Sequence, residues 1–271
     1  METVRDEINL FEVIQPLINR WKLLLFGVFV GILIAVVVTF LSKKQYETSI
    51  LLQVGAVMDK QLEDSNTVVE IINSDSFHKT IANRLKLNAT TRQLDKMIDA
   101  ETNATRPSPL VTVIVLSDSP QGAVNLANSV FALINERHKP LFDGKMEYYI
   151  KYNTDLGKKI KSFEDDVQAQ TDDLKLLGKN GDLNTRIELQ ARLGDRENQV
   201  LSVKREQREL LAYTSAVHSH STAMVAPPVM PTKPSKPNLR LNLIVAFLVS
   251  LFAMISFIFV MDQYKKASMR I

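Results

Sequence analysis

Residues 23–41 read LLLFGVFVGILIAVVVTFL, and residues 241–261 read LNLIVAFLVSLFAMISFIFVM. Neither stretch contains a charged residue, and each is close to the roughly twenty apolar residues that a helix needs to cross a bilayer. Two buried core helices would be the alternative, but unbroken apolar runs of this length are typical of membrane helices. We therefore predict transmembrane helices at residues 23–42 and 241–261.

A cleaved signal peptide is another explanation of the first stretch. Signal peptides begin with a short basic region and end at a cleavage site of small residues. Here the preceding residues 1–22 contain several acidic side chains, and Thr39, Phe40 and Leu41 make a poor cleavage site. We expect both helices to remain in the protein.

Two crossings place both termini on one side of the membrane. Lysine and arginine close to a membrane helix favour the cytoplasm, and their slight excess lies in the two tails. A central region without cysteine is also compatible with an oxidising compartment. We predict cytoplasmic tails at residues 1–22 and 262–271 and a periplasmic central region at residues 43–240.

The composition excludes several functions. The chain contains no cysteine, which excludes a disulfide scaffold, a thiolate metal site and a cysteine nucleophile. Its net charge of +3 over 271 residues does not indicate nucleic-acid binding. Hydrophobic residues make up 45% of the chain, as in soluble proteins, because the apolar ends are averaged with a polar middle.

Residues 43–145 predict an α/β base next to the membrane, of the α+β class. β-Branched residues and alternation predict strands, and apolar residues at helical spacing predict helices. Asp118, Ser119 and Pro120 combine capping residues with a first-turn proline, which indicates a helix start. The other predicted elements are strands at residues 47–54, 94–100 and 110–116 and a helix at residues 67–85.

Residues 146–215 predict an extended antiparallel helical hairpin. Apolar residues recur at alternating spacings of four and three, as in the seam of a coiled coil, on both sides of a break at residues 178–182. One thin hairpin buries little area on itself, so we expect its stripe also to pack on a second copy of the chain. The candidate self-association residues are Leu156, Ile160, Phe163, Val167 and Leu174.

Residues 216–240 predict a return strand and a proline-rich connector. Pro228, Pro231, Pro234 and Pro237 recur every third residue. Because polyproline II has three residues per turn, these rings would stack on one face of a stiff rod. We predict a rigid connector that fixes the distance and rotation between the central domain and the second membrane helix.

Small residues within the membrane helices predict close helix packing. Gly27, Gly31 and Ala35 form a row with a spacing of four in the first helix, and Ala246 and Ser250 are the nearest equivalent in the second. Small residues at this spacing let helix backbones approach closely. The alternative is that these glycines reflect ordinary membrane-helix composition.

The layout resembles the chain-length determinant family, the polysaccharide co-polymerases of bacterial inner membranes. The resemblance is carried by EINLFE at residues 7–12, Trp21, Tyr46, the helical middle and PSKPN at residues 234–238. It implies a ring-forming scaffold that sets the length of an O-antigen-like polysaccharide together with a glycan polymerase. The implied partners are further copies of the chain, the polymerase, membrane lipids and a lipid-linked polysaccharide. In contrast to many members, the second membrane helix has no glycine.

The sequence predicts no enzyme and no cofactor. A kinase would need a G-x-x-x-x-G-K-[ST] phosphate loop, and the segments at Gly144, Gly157 and Gly178 lack its last position. His218 and His220 alternate as in a strand, but a third metal ligand is not evident nearby, so we predict no metal site. An alternative function is an adaptor for a separate cytoplasmic tyrosine kinase in exopolysaccharide or capsule export. A periplasmic pump adaptor is disfavoured, since no lipoyl-like β domain is predicted.

Overall fold

The structure is a computed structural model that describes residues 10–87, 90–102, 108–178 and 181–268. The predicted tail residues 1–9 and 269–271, including part of the EINLFE segment, lie outside the described residues. The chain divides into two units. The terminal unit comprises Met1–Glu47, Asp118–Pro120 and Pro231–Ile271, and the central unit comprises Thr48–Ser117 and Gln121–Met230.

The described residues contain eight helices and six strands. The helices are α1 (Leu10–Asn19), α2 (Trp21–Leu41), α3 (Ser65–Ile72), α4 (Asp75–Leu85), α5 (Thr91–Asp95), α6 (Pro120–Leu177), α7 (Leu183–Tyr213) and α8 (Leu239–Ser268). The strands are β1 (Tyr46–Gln53), β2 (Ala56–Val57), β3 (Lys60–Gln61), β4 (Ile98–Thr102), β5 (Leu110–Ser117) and β6 (Ala223–Ala226). Helix α2 and residues Leu239–Tyr264 of α8 are long and apolar enough to cross a membrane.

A four-stranded sheet with the order β4-β5-β1-β6 forms the middle of the central unit. Strand β5, predicted from its β-branched residues, buries Val111, Val113 and Val115 and turns the residues between them to the other face. Strands β4 and β5 are antiparallel, as are β1 and β6. Helices α3, α4 and the first turns of α6 cover the buried face and complete the core.

The predicted helix over residues 67–85 is wrong in one respect, since two helices occupy this segment. The side chain of Asn73 donates to the carbonyl of Ala100 and accepts from its N–H, both at 3.0 Å. The Ser74 hydroxyl then accepts from the N–H of Phe77 at 3.3 Å and caps α4. A polar side chain tied to a strand and a new N-cap end one helix and begin the next.

The predicted strand over residues 94–100 begins too early. Thr90 and Gln93 form a capping box, in which the Thr90 N–H donates to Gln93 Oε1 at 2.8 Å. This box starts the short helix α5, and the fully buried Leu94 belongs to it. Strand β4 therefore begins only at Ile98.

Helix α6 is continuous over 58 residues and contains Pro140. Its first turns, including Val130 and Ile134, belong to the core of the base, and its later turns, including Leu156, form the first arm of the hairpin. The boundary predicted at residue 145 therefore falls inside a helix. The expected fold class is confirmed: an α+β domain with a long antiparallel helical hairpin, flanked in sequence by two apolar helices.

Candidate functional site

Helices α2 and α8 pack where their small residues meet. A Cβ atom placed on Gly31 would lie 2.5 Å from Cβ of Ser250, which is closer than real side chains approach. A Cβ atom on Gly27 would collide with the side chain of Met254. Gly31 is therefore required by the close approach of the second helix, whereas the flexible end of the Met254 side chain can move away from a Cβ atom at Gly27.

A hydrogen bond between the helices extends the same register. Asn242 donates to Thr39 Oγ1 at 3.0 Å, and the Thr39 hydroxyl donates to the carbonyl of Ala35 at 2.7 Å. Each step of four residues along α2 moves four residues back along α8. Continued by four residues, this register brings Ala35 to the level of Ala246, and the packing of these two residues stays a prediction.

The proline-rich connector before α8 contains a bend. Its backbone bends at Thr232 and Lys233, between Pro231 and Pro234. Three of the rings, those of Pro228, Pro231 and Pro237, are half-buried, whereas Pro234 is exposed. Period-three prolines favour polyproline II locally, but the two residues between Pro231 and Pro234 leave the backbone free to turn.

Hydrogen bonds hold the end of the connector to the segment that follows α2. The N–H of Gln45 donates to the carbonyl of Lys236 at 2.9 Å, and the N–H of Ser235 donates to the carbonyl of Gln45 at 2.8 Å. The Ser235 hydroxyl also donates to Glu47 Oε2 at 2.7 Å. Hydrogen bonds thus tie together the ends of the two membrane helices, and the rigidity of the proline segment stays a prediction.

The hairpin seam packs within the chain, and its additional role in self-association stays a prediction. Leu156 and Ile160 of α6 are buried in one cluster with Val203 and Leu210 of α7. Phe163 packs on this cluster, and Val167 and Leu174 are half-buried. The second arm covers the stripe because the short break at Gly178, whose φ is +52°, folds α7 back along α6.

Ion pairs outside the seam set the pairing of the two arms. Lys204 lies 2.6 Å from Glu164, and Arg196 lies 3.6 Å from Asp166. Exposed pairs of this kind add little stability, but opposite charges at matched levels favour one register of the arms.

A buried polar cluster in the central unit was not predicted from the sequence. His138 of α6 is only 1% exposed, and its Nδ1 and Nε2 lie 2.6 Å from Thr222 Oγ1 and 3.1 Å from Glu63 Oε2. Arg137 donates to both carboxylate oxygens of Glu63. The three segments meet only in the folded chain, so no spacing in the sequence reveals the cluster.

Burial determines the protonation of this histidine. Desolvation lowers the pKa of His138 below its ordinary value and outweighs the hydrogen bond with Glu63, which acts in the opposite direction. The hydrogen bond from Arg137 lowers the pKa of Glu63. A neutral ring that donates from Nε2 to Glu63 and accepts at Nδ1 from the Thr222 hydroxyl satisfies every group. Thr222 in turn accepts from the N–H of Gly55 at 2.9 Å.

The histidines considered for metal binding contact other groups. Nδ1 of His218 lies 2.9 Å from Asp59 Oδ2, and Nε2 of His220 lies 3.3 Å from Gln53 Nε2. Within the described ranges, no group of three or more His, Asp or Glu side chains could hold a metal ion.

These features define a class of protein with an antiparallel pair of membrane-length helices and a central α+β unit that carries a helical hairpin. Residues 6–86 match the family model of the Wzz chain length determinant protein. The match includes α2, β1, α3 and α4, and it confirms the resemblance to the chain-length determinant family over this part of the chain. No curated protein matches the sequence.

Three solved structures are similar to the chain at low identity. One, described as a full-length bacterial polysaccharide co-polymerase, is 10% identical, covers 95% of this chain and 99% of its own, and has a TM-score of 0.43. A fragment of the WzzB co-polymerase from Salmonella Typhimurium is 12% identical over 72% of this chain and 100% of its own, with a TM-score of 0.31. The O-antigen chain-length regulator of Shigella flexneri, as an A107P mutant, is 11% identical over 71% and 100%, with a TM-score of 0.29. Because each TM-score is below 0.5, these structures are similar to the chain but support no conclusion about its function.

Proposed function

We propose that this chain regulates the length of an O-antigen-like polysaccharide as a ring-forming scaffold in the bacterial inner membrane. The observation that carries the proposal is the family match at residues 6–86, which spans the first membrane helix and the start of the base. In this proposal both termini are cytoplasmic, the central unit is periplasmic, and a glycan polymerase is the partner.

Continuity of α6 supports the role of a scaffold. At about 1.5 Å per residue, this helix extends over roughly 87 Å, and its first turns are part of the base core. A single helix shared by the base and the arm transmits a displacement of the arm to the base without a flexible joint. A continuous helix of this kind suits a protein that responds to a growing polymer.

Exposed apolar side chains on the hairpin support self-association. Leu176 and Leu183 are 85% and 66% exposed near the break between the arms, and Ile187 and Leu201 are also exposed on α7. Apolar side chains left in water on an extended element favour contact with a further surface. In the proposal, that surface belongs to a second copy of the chain.

The proposal gives the chain no catalytic step. The polymerase forms the glycosidic bonds, and the scaffold holds the polymerase and the lipid-linked glycan so that the geometry of the subunits decides when extension stops. The tails contact the cytoplasm, and membrane lipids surround the exposed faces of α2 and α8.

Gene deletion and complementation test this function. We expect deletion to leave the polysaccharide in place but to broaden its length distribution on a gel, and the wild-type gene to restore the modal length. An unchanged length distribution would contradict the proposal. Loss of polymer export together with loss of tyrosine phosphorylation on a separate kinase would instead favour the adaptor function.

A further inference from the structure

A cleft in the central unit lies between the β2–β3 turn and the first arm. Its volume is about 310 Å³, which is within the range of sites for small molecules. The cleft is lined by Val57, Lys60, Gly144, Lys145, Tyr148 and Tyr149.

Tyr148 presents a fixed aromatic face at this cleft. Its side chain is 64% exposed, although its neighbours determine its orientation. The ring meets Tyr149 edge to face at 5.2 Å and lies within 9° of parallel to Tyr152. The Tyr152 hydroxyl donates to Glu206 of α7, so the second arm holds this row of rings. A ring that is already ordered loses little entropy when a ligand binds.

Two lysines add positive charge around the aromatic face. Lys60 follows a tight turn in which Met58 and Asp59 have φ values of 53° and 60°. The N–H of Asp59 donates to the carbonyl of His218 at 2.9 Å, which anchors the turn. Lys145 lies three residues before Tyr148 on α6. Neither lysine forms an ion pair with any residue that the structure describes, and the Asp59 carboxylate pairs with His218.

Gly144 keeps the cleft open. A Cβ atom placed on this residue would have no neighbour within 4 Å, so the missing side chain is not required by packing. Glycine within a helix costs about 1 kcal/mol relative to alanine. The space beside Lys145 and Tyr148 is therefore left at the expense of helix stability.

We propose that this cleft binds one sugar unit of an acidic polysaccharide. The apolar C–H face of a pyranose ring packs on Tyr148, as apolar groups pack on exposed aromatic faces. A carboxylate on the sugar pairs with Lys60 and Lys145. A cleft of this size holds one ring, whereas a protein partner needs about 800 Å² on each side. The inference rests on the proposed function only for the origin of the glycan.

Binding by the full chain in mild detergent tests the site. The probes are an oligogalacturonate and a neutral malto-oligosaccharide of the same length, measured by titration calorimetry. We expect the acidic probe to bind at least about tenfold more tightly than the neutral one, because only it offers carboxylates. Added salt should weaken this binding.

Variants distinguish the cleft from non-specific binding. Gly144→Phe adds a ring at the cleft from a position where a Cβ atom meets no neighbour within 4 Å, and Tyr148→Ala removes the aromatic face. Each should weaken binding of the acidic probe about tenfold or more. Tyr148→Phe keeps the face and should stay within about twofold of wild type. Lys151→Ala removes an exposed lysine on α6 outside the cleft and serves as the matched control.

Equal affinity for the two probes, or no binding of either, would overturn the inference. Undiminished binding of the acidic probe by Gly144→Phe would also overturn it. A changed oligomer mass for Tyr148→Ala would do the same, because it would assign the aromatic face to a contact between copies. A failure of the proposed function gives a different pattern, since deletion of the gene would leave polymer length unchanged while the purified chain still bound the acidic probe.

Discussion

His138 is buried although its neighbours in the sequence are charged. It lies between Arg137 and Lys139 on α6. Its ring is nevertheless buried and contacts Glu63 and Thr222. Gly55 makes this arrangement possible, because a Cβ atom there would lie 2.6 Å from the backbone nitrogen of Thr222. A hydrogen-bonded histidine therefore links three segments of the central unit.

The lowered pKa of His138 predicts a loss of stability in mild acid. The folded state holds the ring neutral, whereas the unfolded chain takes up a proton below about pH 6.5. The stability that the neutral His138 contributes is thus fully present above this pH and decreases as the pH falls below it. The lowered pKa of Glu63 acts in the same direction, but only below about its ordinary value of 4.5. Thermal unfolding of the full chain followed by circular dichroism at pH 7.5 and 5.5 measures the effect.

His138→Gln isolates this histidine in the same measurement. Glutamine does not titrate, so the difference between the two pH values should shrink. Stability at pH 7.5 should fall by about 1–3 kcal/mol, because a buried group loses its partner. His220→Gln changes a less buried histidine and should keep the wild-type pH dependence. An undiminished pH dependence in His138→Gln would show that another group is responsible.

At the scale of the elements, the packing of α2 on α8 is specified by residue size. Gly31 faces Ser250, and Asn242 donates to Thr39 further along the same seam. In a membrane, where lipid is as apolar as the side chains, close contact and hydrogen bonds hold helices together. The seam is therefore sensitive to a single added methyl group.

Gly31→Ala should destabilise the helix pair, and a second substitution should restore it. The added Cβ atom collides with Ser250, and we expect a loss of about 1–3 kcal/mol, as for other overpacked sites. Ser250→Gly in the same chain removes the colliding atom and should recover most of the loss. The temperature at which the detergent-solubilised chain aggregates ranks the variants by stability. Ile34→Leu changes an exposed residue of α2 and serves as the control. Equal stability of all four would contradict a close seam.

At the scale of the whole molecule, the proposed function requires that the central region and the tails lie on opposite sides of the membrane. The natural chain contains no cysteine, so a single introduced thiol reports its own location. Ser162 is exposed on α6, and Ser268 ends α8. These two positions test the predicted orientation directly.

A membrane-impermeant maleimide should label Ser162→Cys in intact spheroplasts. Ser268→Cys should react at least about tenfold more after lysis than before, because the cytoplasmic membrane excludes the reagent. The cysteine-free wild-type chain gives the background. Labelling of Ser268→Cys in intact spheroplasts would reverse the proposed topology.

Sequence patterns alone predicted the elements whose signals are local. The apolar runs specify α2 and α8, β-branched residues specify β5, and the glycine and aspartate that flank the break specify the hairpin. The helix break at Asn73 depends on bonds to Ala100 across the fold, which no local pattern shows. The late start of β4 had a local signal that was missed, the capping box of Thr90 and Gln93. The bend in the proline-rich connector was not predicted either, because the end of the connector pairs with Gln45, which is far away in the sequence.

The order of the elements, the membrane-length helices and the spacing of the small residues along each helix were determined by the sequence itself, because each depends on periodicity within one helix or strand. The tertiary structure decided which surfaces meet. It buried the hairpin seam within the chain, carried α6 through residue 145, and brought His138 to Glu63 and Thr222. Contacts between residues far apart in sequence depend on chain closure and packing, and a local pattern carries no information about either.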